Sequence, residues 1–309
     1  MRRRLVMAMP ALLLALSAFH YGFATAHAQQ QPSTLVWGIA GNPRHLNPAV
    51  QSGIFTMMPG AQIFASPVRI DADWKAQPYV AESWSFSEGN KVLTLRIIDG
   101  ATFHDGKPIT AEDVAFSIKV VKDNHPFQAM LASVEKIEAR DARTVVLTLK
   151  EPNPGILLAL SPPFTPVLPK HVFGDGKDLK SHPANAQPVG SGPYKVVEFK
   201  SGEHIILEKN PSFFIKGRPH FDRVVMKIFK DTTALAVAIE TKQVHFAPFM
   251  SDLALVDRLA SVAGLTVSEK GGHGIGPLNW LAFNTARKPF DDKRVRQAIS
   301  FAIDREFIT

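Results

Sequence analysis

The run from Val92 to Ile118 constrains the fold most. Leu93, Leu95 and Ile97 alternate with polar residues, the period-two pattern of a half-buried strand. Phe103-His104-Asp105-Gly106 then turns the chain tightly, with Gly106 free to take a positive φ. Thr110 stands where an N-cap belongs, and Glu112 and Asp113 fall in the first turn, where acids complement the helix dipole. Ala111, Val114, Ala115, Ile118 and Lys122 follow at helical spacing, four of them apolar. The block contains His, Asp and Glu, yet it reads as scaffold: a strand, a turn and a capped helix.

The N-terminus reads as an address. Arg2, Arg3 and Arg4 form a basic region, Leu5 to Leu16 an apolar one, and Ala26-His27-Ala28 a small-x-small cleavage site. The apolar run is interrupted by Pro10, Ser17 and His20 and is short for a membrane span. Residues 1–28 are therefore expected to be a cleavable signal peptide. Arg2-Arg3 with Leu5-Val6 is similar to a twin-arginine signal, but only Met1 precedes it, so the general secretory route fits better. The chain has no cysteine, which excludes disulfides and a cysteine-borne lipid anchor. The exported protein is expected free in the periplasm of a double-membraned bacterium. Loss of residues 1–28 removes three arginines and no acid, taking the formal charge from +7 to +4. The remaining cations are scattered, so no footprint for nucleic acid is present. No later run is long and apolar enough for a span.

Along the rest of the chain, Leu35 to Ile39 reads as a buried strand, followed by turn punctuation at Gly41-Asn42-Pro43 and Leu46-Asn47-Pro48. A helix is expected over Phe55 to Phe64, broken or kinked near Pro59. Strands are expected at Ser83 to Phe86 and Val92 to Ile98, and a hairpin from Val134–Ala139 and Thr144–Lys150 around a three-residue loop, Asp141-Ala142-Arg143. Gly155 to Leu160 reads as a short apolar helix, and Pro162, Pro163, Pro166 and Pro169 as an extended crossover. A second hairpin joins Tyr194–Phe199 to His204–Glu208, with Gly202 in its turn. A strand at Val224 to Phe229, helices at Thr232–Glu240 and Leu253–Leu259, and a strand at Leu278–Phe283 follow. A last helix starts at Asp291 and carries Val295, Ala298, Ile299, Ala302 and Ile303 on one stripe.

Eight short motifs resemble, in order, those of the family 5 extracellular solute-binding proteins, the peptide- and nickel-type receptors of ABC importers. They are Leu46-Asn47-Pro48; Pro78 to Trp84; Phe103 to Ser117; Gly190-Ser191-Gly192-Pro193-Tyr194; Asn210 to Phe214; Phe283-Asn284 with Pro289-Phe290; Asp292 to Ala298; and Ala302 to Arg305. One departure is Thr241-Lys242-Gln243-Val244-His245, where the family usually has Gly-Glu-Val-Asp, so this turn lacks its Gly and its acid. Members also continue well beyond the last helix, so the sequence is expected to be an N-terminal part. The resemblance implies an α/β, two-lobed periplasmic-binding-protein-like fold of the peptide-binding type, with an extra β-rich subdomain and the second lobe largely missing. It implies a first-lobe core over 29–64 and 189–270, an inserted subdomain over 65–188, and a crossover with the start of the second lobe over 271–309.

Each candidate for chemistry has a structural reading beside it. His104-Asp105 suggests a dyad or metal pair, but no second His lies at ligand spacing. Glu112-Asp113 suggests paired carboxylates, but the first turn of a helix accounts for them. Ser191 between glycines lacks the five-residue spacing of a nucleophile elbow. Gly271-Gly272-His273-Gly274-Ile275-Gly276 lacks the Gly-Lys-Ser/Thr of a phosphate loop and precedes a strand pattern, so it reads as a pocket-edge or hinge loop. Arg294 and Arg296 read as the solvated face of the last helix.

What remains is binding. The resemblance implies two lobes closing on a ligand, with ligand contacts on the loop after Leu46-Asn47-Pro48, namely Ser52, Gly53, Ile54 and Phe55, and on Asn279 and Trp280, with His273 at the rim. It implies a small-molecule or peptide ligand, an inner-membrane ABC permease with its ATPase as partner, a monomer, no cofactor and no catalysis. An exported hydrolase of peptides or glycans, and a periplasmic sensor or chaperone, are the alternatives. A peptide, nickel chelate, haem, opine or sugar all remain open as ligand.

Overall fold

The computed structural model describes residues 32–250, 252–268 and 281–304. The signal peptide expected over 1–28 and the glycine-rich run Gly271 to Gly276 lie outside the described residues. None of the helices described is long and apolar enough to cross a membrane.

The chain begins with β1 (Thr34–Ile39), α1 (Ile54–Ile63) and a small hairpin of β2 (Val68–Ile70) and β3 (Ala76–Pro78). Next come β4 (Ala81–Ser87), β5 (Val92–Ile97), α2 (Ala111–Asn124), β6 (Val134–Asp141) and β7 (Thr144–Leu149). The short helices α3 (Ile156–Ala159) and α4 (Lys170–Phe173) lead to β8 (Tyr194–Lys200), β9 (His204–Lys209) and β10 (Arg223–Ile228). Helices α5 (Thr232–Glu240), α6 (Leu253–Ala260) and α7 (Lys293–Ala302) follow.

Two four-stranded sheets organise this mixed α/β structure. One runs β1-β10-β9-β8, with β1 parallel to β10 and the other pairs antiparallel. The other runs β4-β5-β7-β6 and is antiparallel throughout. One apolar core joins them: Trp37 and Ile39 of β1, Leu93, Leu95 and Ile97 of β5, Val114 and Ile118 of α2, and Ile205 and Leu207 of β9 are all buried in it. A smaller core lies around Leu235, Ile239, Val244 and Leu259, with Val36 packed against it. Side chains alternate along a strand, so β1 feeds both cores. That explains why it reads as an unbroken apolar run.

The strand, turn and capped helix form as expected. Gly106 takes φ 84° and its N–H donates to the Phe103 carbonyl at 2.9 Å. Thr110 and Asp113 form a reciprocal capping box. Asp113 also accepts the backbone N–H of Lys170 at 2.9 Å, and Ser117 Oγ accepts that of Leu168 at 2.8 Å. The first turns of α2 thus pin the proline-rich crossover as well as cap themselves.

Four local expectations need correction. The β6–β7 loop has two residues, because Asp141 pairs with Thr144 after a register shift. Of the break or kink expected in α1, the break is absent: the helix runs through Pro59, which removes one backbone donor without ending it. Asp292, not Asp291, caps α7, accepting the Arg294 N–H at 2.8 Å. Residues 281–283 are not in a strand, and Leu278 to Trp280 lie outside the described residues. The α7 stripe exists but no residue of that helix is buried, and Phe301 is 89% exposed. The glycine-less turn after α5 leaves its mark too: Lys242 sits at φ 58°, a left-handed position that costs a side chain about 1 kcal/mol.

Candidate functional site

The loop between β1 and α1 is held by buried polar contacts. Asn47 is fully buried; its Nδ2 donates to Asn185 Oδ1 at 2.9 Å and its Oδ1 accepts the Ala49 N–H at 2.9 Å. The Leu46 N–H donates to the Asn185 carbonyl at 2.8 Å. Pro48 then lies against Gly60 of α1, where a Cβ would come within 2.7 Å of the proline ring. Upstream, Asn42 ties the loop to the β8–β9 turn: its Nδ2 donates to Ser201 Oγ at 2.8 Å and its Oδ1 accepts the Gly202 N–H at 2.9 Å. The Phe55 ring lies flat enough on Gly41 that any side chain there would overlap it.

These restraints leave a small pocket of about 120 Å³ lined by Asn42, Pro43, Arg44, Gln51, Ser52, Gly53, Phe55 and Thr56. Three of the expected ligand residues, Ser52, Gly53 and Phe55, are brought together in its wall. Ile54 is half-buried as the first residue of α1 and does not line it. Gly53 is exposed at φ 112° and ψ 141°, with nothing within 4 Å of the position a Cβ would take. His273, Asn279 and Trp280 lie outside the described residues. Asn42, Pro43 and Arg44 complete the pocket, although the sequence marks Asn42 and Pro43 only as turn punctuation and does not single out Arg44. Their link to residues 51–56 is spatial, and the Asn-Pro dipeptide was its only sequence trace. Beside them, burial and the Arg44 charge push the His45 imidazole below its ordinary range.

The candidates for catalysis resolve into structural roles. His104 Nδ1 accepts the Gly190 N–H at 3.1 Å, so Nε2 carries the proton and donates to the Gly192 carbonyl at 3.1 Å. Burial pushes this imidazole down to about 4. Asp105 points elsewhere, to His171 Nε2 at 2.7 Å, so the two neighbours do not act as a dyad. Asp113 is occupied by capping, and Glu112 forms an exposed pair with Lys170 at 2.9 Å. Ser191 is fully buried, with Oγ accepting the Ala65 N–H and donating to the Val167 carbonyl, both at 3.0 Å. That leaves it no freedom to attack a substrate. Arg294 is exposed as expected, whereas Arg296 donates to the carbonyls of Phe290 and Asp291. Among the described residues no group of three or more His, Asp or Glu side chains could hold a metal ion.

The family model described as bacterial extracellular solute-binding proteins, family 5 Middle, matches residues 75–309. The oligopeptide-binding protein AppA of Bacillus subtilis is 30% identical over 297 residues, which cover 92% of this chain and 52% of that protein. The solved structure of AppA from Bacillus subtilis in complex with a nonapeptide superposes with a TM-score of 0.74 at 27% identity, covering 90% of this chain and 56% of that one. The structure of NikZ from Campylobacter jejuni in complex with Ni(L-His) gives 0.73 at 25% identity, covering 89% and 54%. The chain spans about half the length of the curated relatives it matches.

Proposed function

The chain belongs to the bacterial extracellular solute-binding proteins of family 5, and from that premise we propose that it serves as the substrate-binding component of a peptide-type ABC importer. It captures a small, oligopeptide-like solute and hands it to an inner-membrane permease driven by an ATPase. It works as a monomer in the periplasm and leaves its ligand chemically unchanged. Residues 29–64 and 189–270 form the core of one ligand-binding lobe, 65–188 an inserted subdomain, and 271–309 the passage toward a second lobe. Closure of two lobes is favoured because the ligand touches both only in the closed state.

The observation that carries this reading is the loop Ser52-Gly53-Ile54-Phe55. The chain leading into it is anchored by the buried Asn47–Asn185 bond and the exposed Asn42–Gly202 bond, yet the loop presents open space in front of a glycine in a conformation that side chains rarely adopt. Such a backbone lets an extended ligand approach closely and pair with main-chain groups. The pocket wall combines an aromatic ring, small polar groups and one cation. It contains no nucleophile and base in contact, as a hydrolase requires. A peptide is favoured as ligand because relatives over most of this chain are oligopeptide-binding proteins. His273, Asn279 and Trp280 are assigned to the facing wall on the family pattern alone.

The test is to retain peptides from a protein digest on the purified chain and identify them by mass spectrometry. Gly53→Ala is expected to cost about 1 kcal/mol of stability and to weaken retention about tenfold by blocking close approach. Gly89→Ala, also at positive φ in open space, is expected to cost similar stability and to leave retention unchanged. Equal retention by both variants would contradict the assignment, and shortened peptides would favour the hydrolase.

A further inference from the structure

A second, larger cleft lies away from the Gly53 pocket. It measures about 440 Å³ and is walled by β1, β8, β10 and the segment from Phe213 to Phe221, with Arg69 of β2 and Tyr79 just after β3. Its walls are mostly rings: Trp37, Tyr79, Tyr194 and Phe213 line it. Phe213 stands edge-on to Tyr79 with ring centroids 6.3 Å apart.

The polar groups of this cleft are one-sided. Arg69 and Arg218 both line it, both are exposed, and neither has a carboxylate partner among the described residues. No Asp or Glu is among the lining residues. Trp37 is only 8% exposed, and its buried Nε1–H meets no acceptor. An unpaired buried donor is costly. Tyr194 spends its hydroxyl on the Phe221 carbonyl at 3.1 Å and offers no charge to balance them. The volume lies in the range of small-molecule sites, and the pattern of apolar walls with a few convergent polar groups is theirs as well.

We propose that this cleft is a second binding site and that it takes a small aromatic carboxylate, its ring stacked among Trp37, Tyr79 and Phe213 and its charge set against Arg69 and Arg218. Arginine is suited to this role, since its planar fork pairs with both oxygens of a carboxylate. The site is separate from the peptide pocket and stands or falls independently of it.

Phenylacetate and its uncharged counterpart phenylacetamide are the probes, titrated into the 309-residue protein by saturation-transfer NMR. Phenylacetate is expected to bind, and to bind more weakly as salt rises from about 0.05 to about 0.5 M. Phenylacetamide is expected to bind about fivefold more weakly, and Arg69→Gln and Arg218→Gln each to weaken phenylacetate about fivefold. These exposed substitutions leave the thermal midpoint in place, so a change in binding is not a change in folding. Gly53→Ala is expected to leave phenylacetate binding untouched, which separates this result from the peptide test. Equal binding of acid and amide, no effect of either arginine, or no binding at about 10 mM phenylacetate would each overturn the proposal.

Discussion

Gly190→Ala is expected to destabilise the protein by about 4 kcal/mol. The cause is backbone against backbone. A Cβ at Gly190 would overlap the carbonyl oxygen of Ile63, at the end of α1, and would come within 2.8 Å of the His104 ring. Two residues on, Gly192 donates its N–H to the same Ile63 carbonyl at 2.8 Å, and a Cβ there would lie 2.6 Å from the Gln62 carbonyl. A flexible side chain could move aside, but a helix C-terminus cannot move without dragging α1 and the Gly53 loop with it. Ser191 between them closes the clasp through Ala65 and Val167. The glycine–serine–glycine run is therefore a staple joining α1, the crossover and β8. Urea unfolding of the wild type and Gly190→Ala measures the effect, with an exposed substitution at Lys216 as a control near zero. A loss below about 1 kcal/mol would show that the backbone yields.

The second large effect is acid destabilisation by two histidines shielded from water, His104 half-buried and His125 fully buried. His104 is held by burial at about 4, partly offset by its bond to the Gly192 carbonyl, and His125 is also lowered to about 4 by burial. The unfolded chain takes up these protons near 6.5, while the native chain refuses them until about 4. Stability is therefore fully present above pH 6.5, falls as pH drops through the interval from 6.5 to 4, and levels off below it. His104 alone is worth about 3 kcal/mol over that interval. His125 acts in the same direction: its Nδ1 accepts the Phe127 N–H at 2.9 Å, and its buried Nε2 has no partner to hold a proton. Urea midpoints at pH 7 and pH 4.5 measure the slope. His125→Phe is expected to flatten it while keeping the apolar contact with Phe164. An unchanged slope would place these imidazoles in contact with water.

Much of this architecture is written in local sequence. Thr110 and Asp113 cap α2 because their spacing permits only that exchange of hydrogen bonds, and Gly106 and Gly202 turn the chain where side chains would be strained. The strands of β5 and β7 follow from alternation alone. The errors occur where tertiary contacts override local preference. Pro59 is carried inside α1 because Gly60 and Pro48 pack that helix against the loop. Ala142 and Arg143 form a two-residue turn because Arg143 is drawn in by Glu82 at 2.8 Å and the Ile97 carbonyl at 2.9 Å.

The pocket was half legible. Ser52, Gly53 and Phe55 are expected only because the family resemblance places ligand contacts after Leu46-Asn47-Pro48, whereas Asn42 and Arg44 join them in the pocket wall because the loop folds back. No local pattern encodes the Asn47–Asn185 bond, which spans 138 residues. The roles of His104 and Ser191 were legible only as negatives, by the lack of catalytic spacing. Their actual partners, Gly190, Gly192 and Val167, come from distant segments.

The claim that ligand is gripped at the β1–α1 loop and released intact is tested most directly by hydrogen–deuterium exchange with and without a retained peptide. Amides of Gln51 to Met57 are expected to slow when peptide is added, and the recovered peptide to have its starting mass. Exchange that slows elsewhere while this loop stays unprotected, or a peptide recovered in pieces, would contradict it.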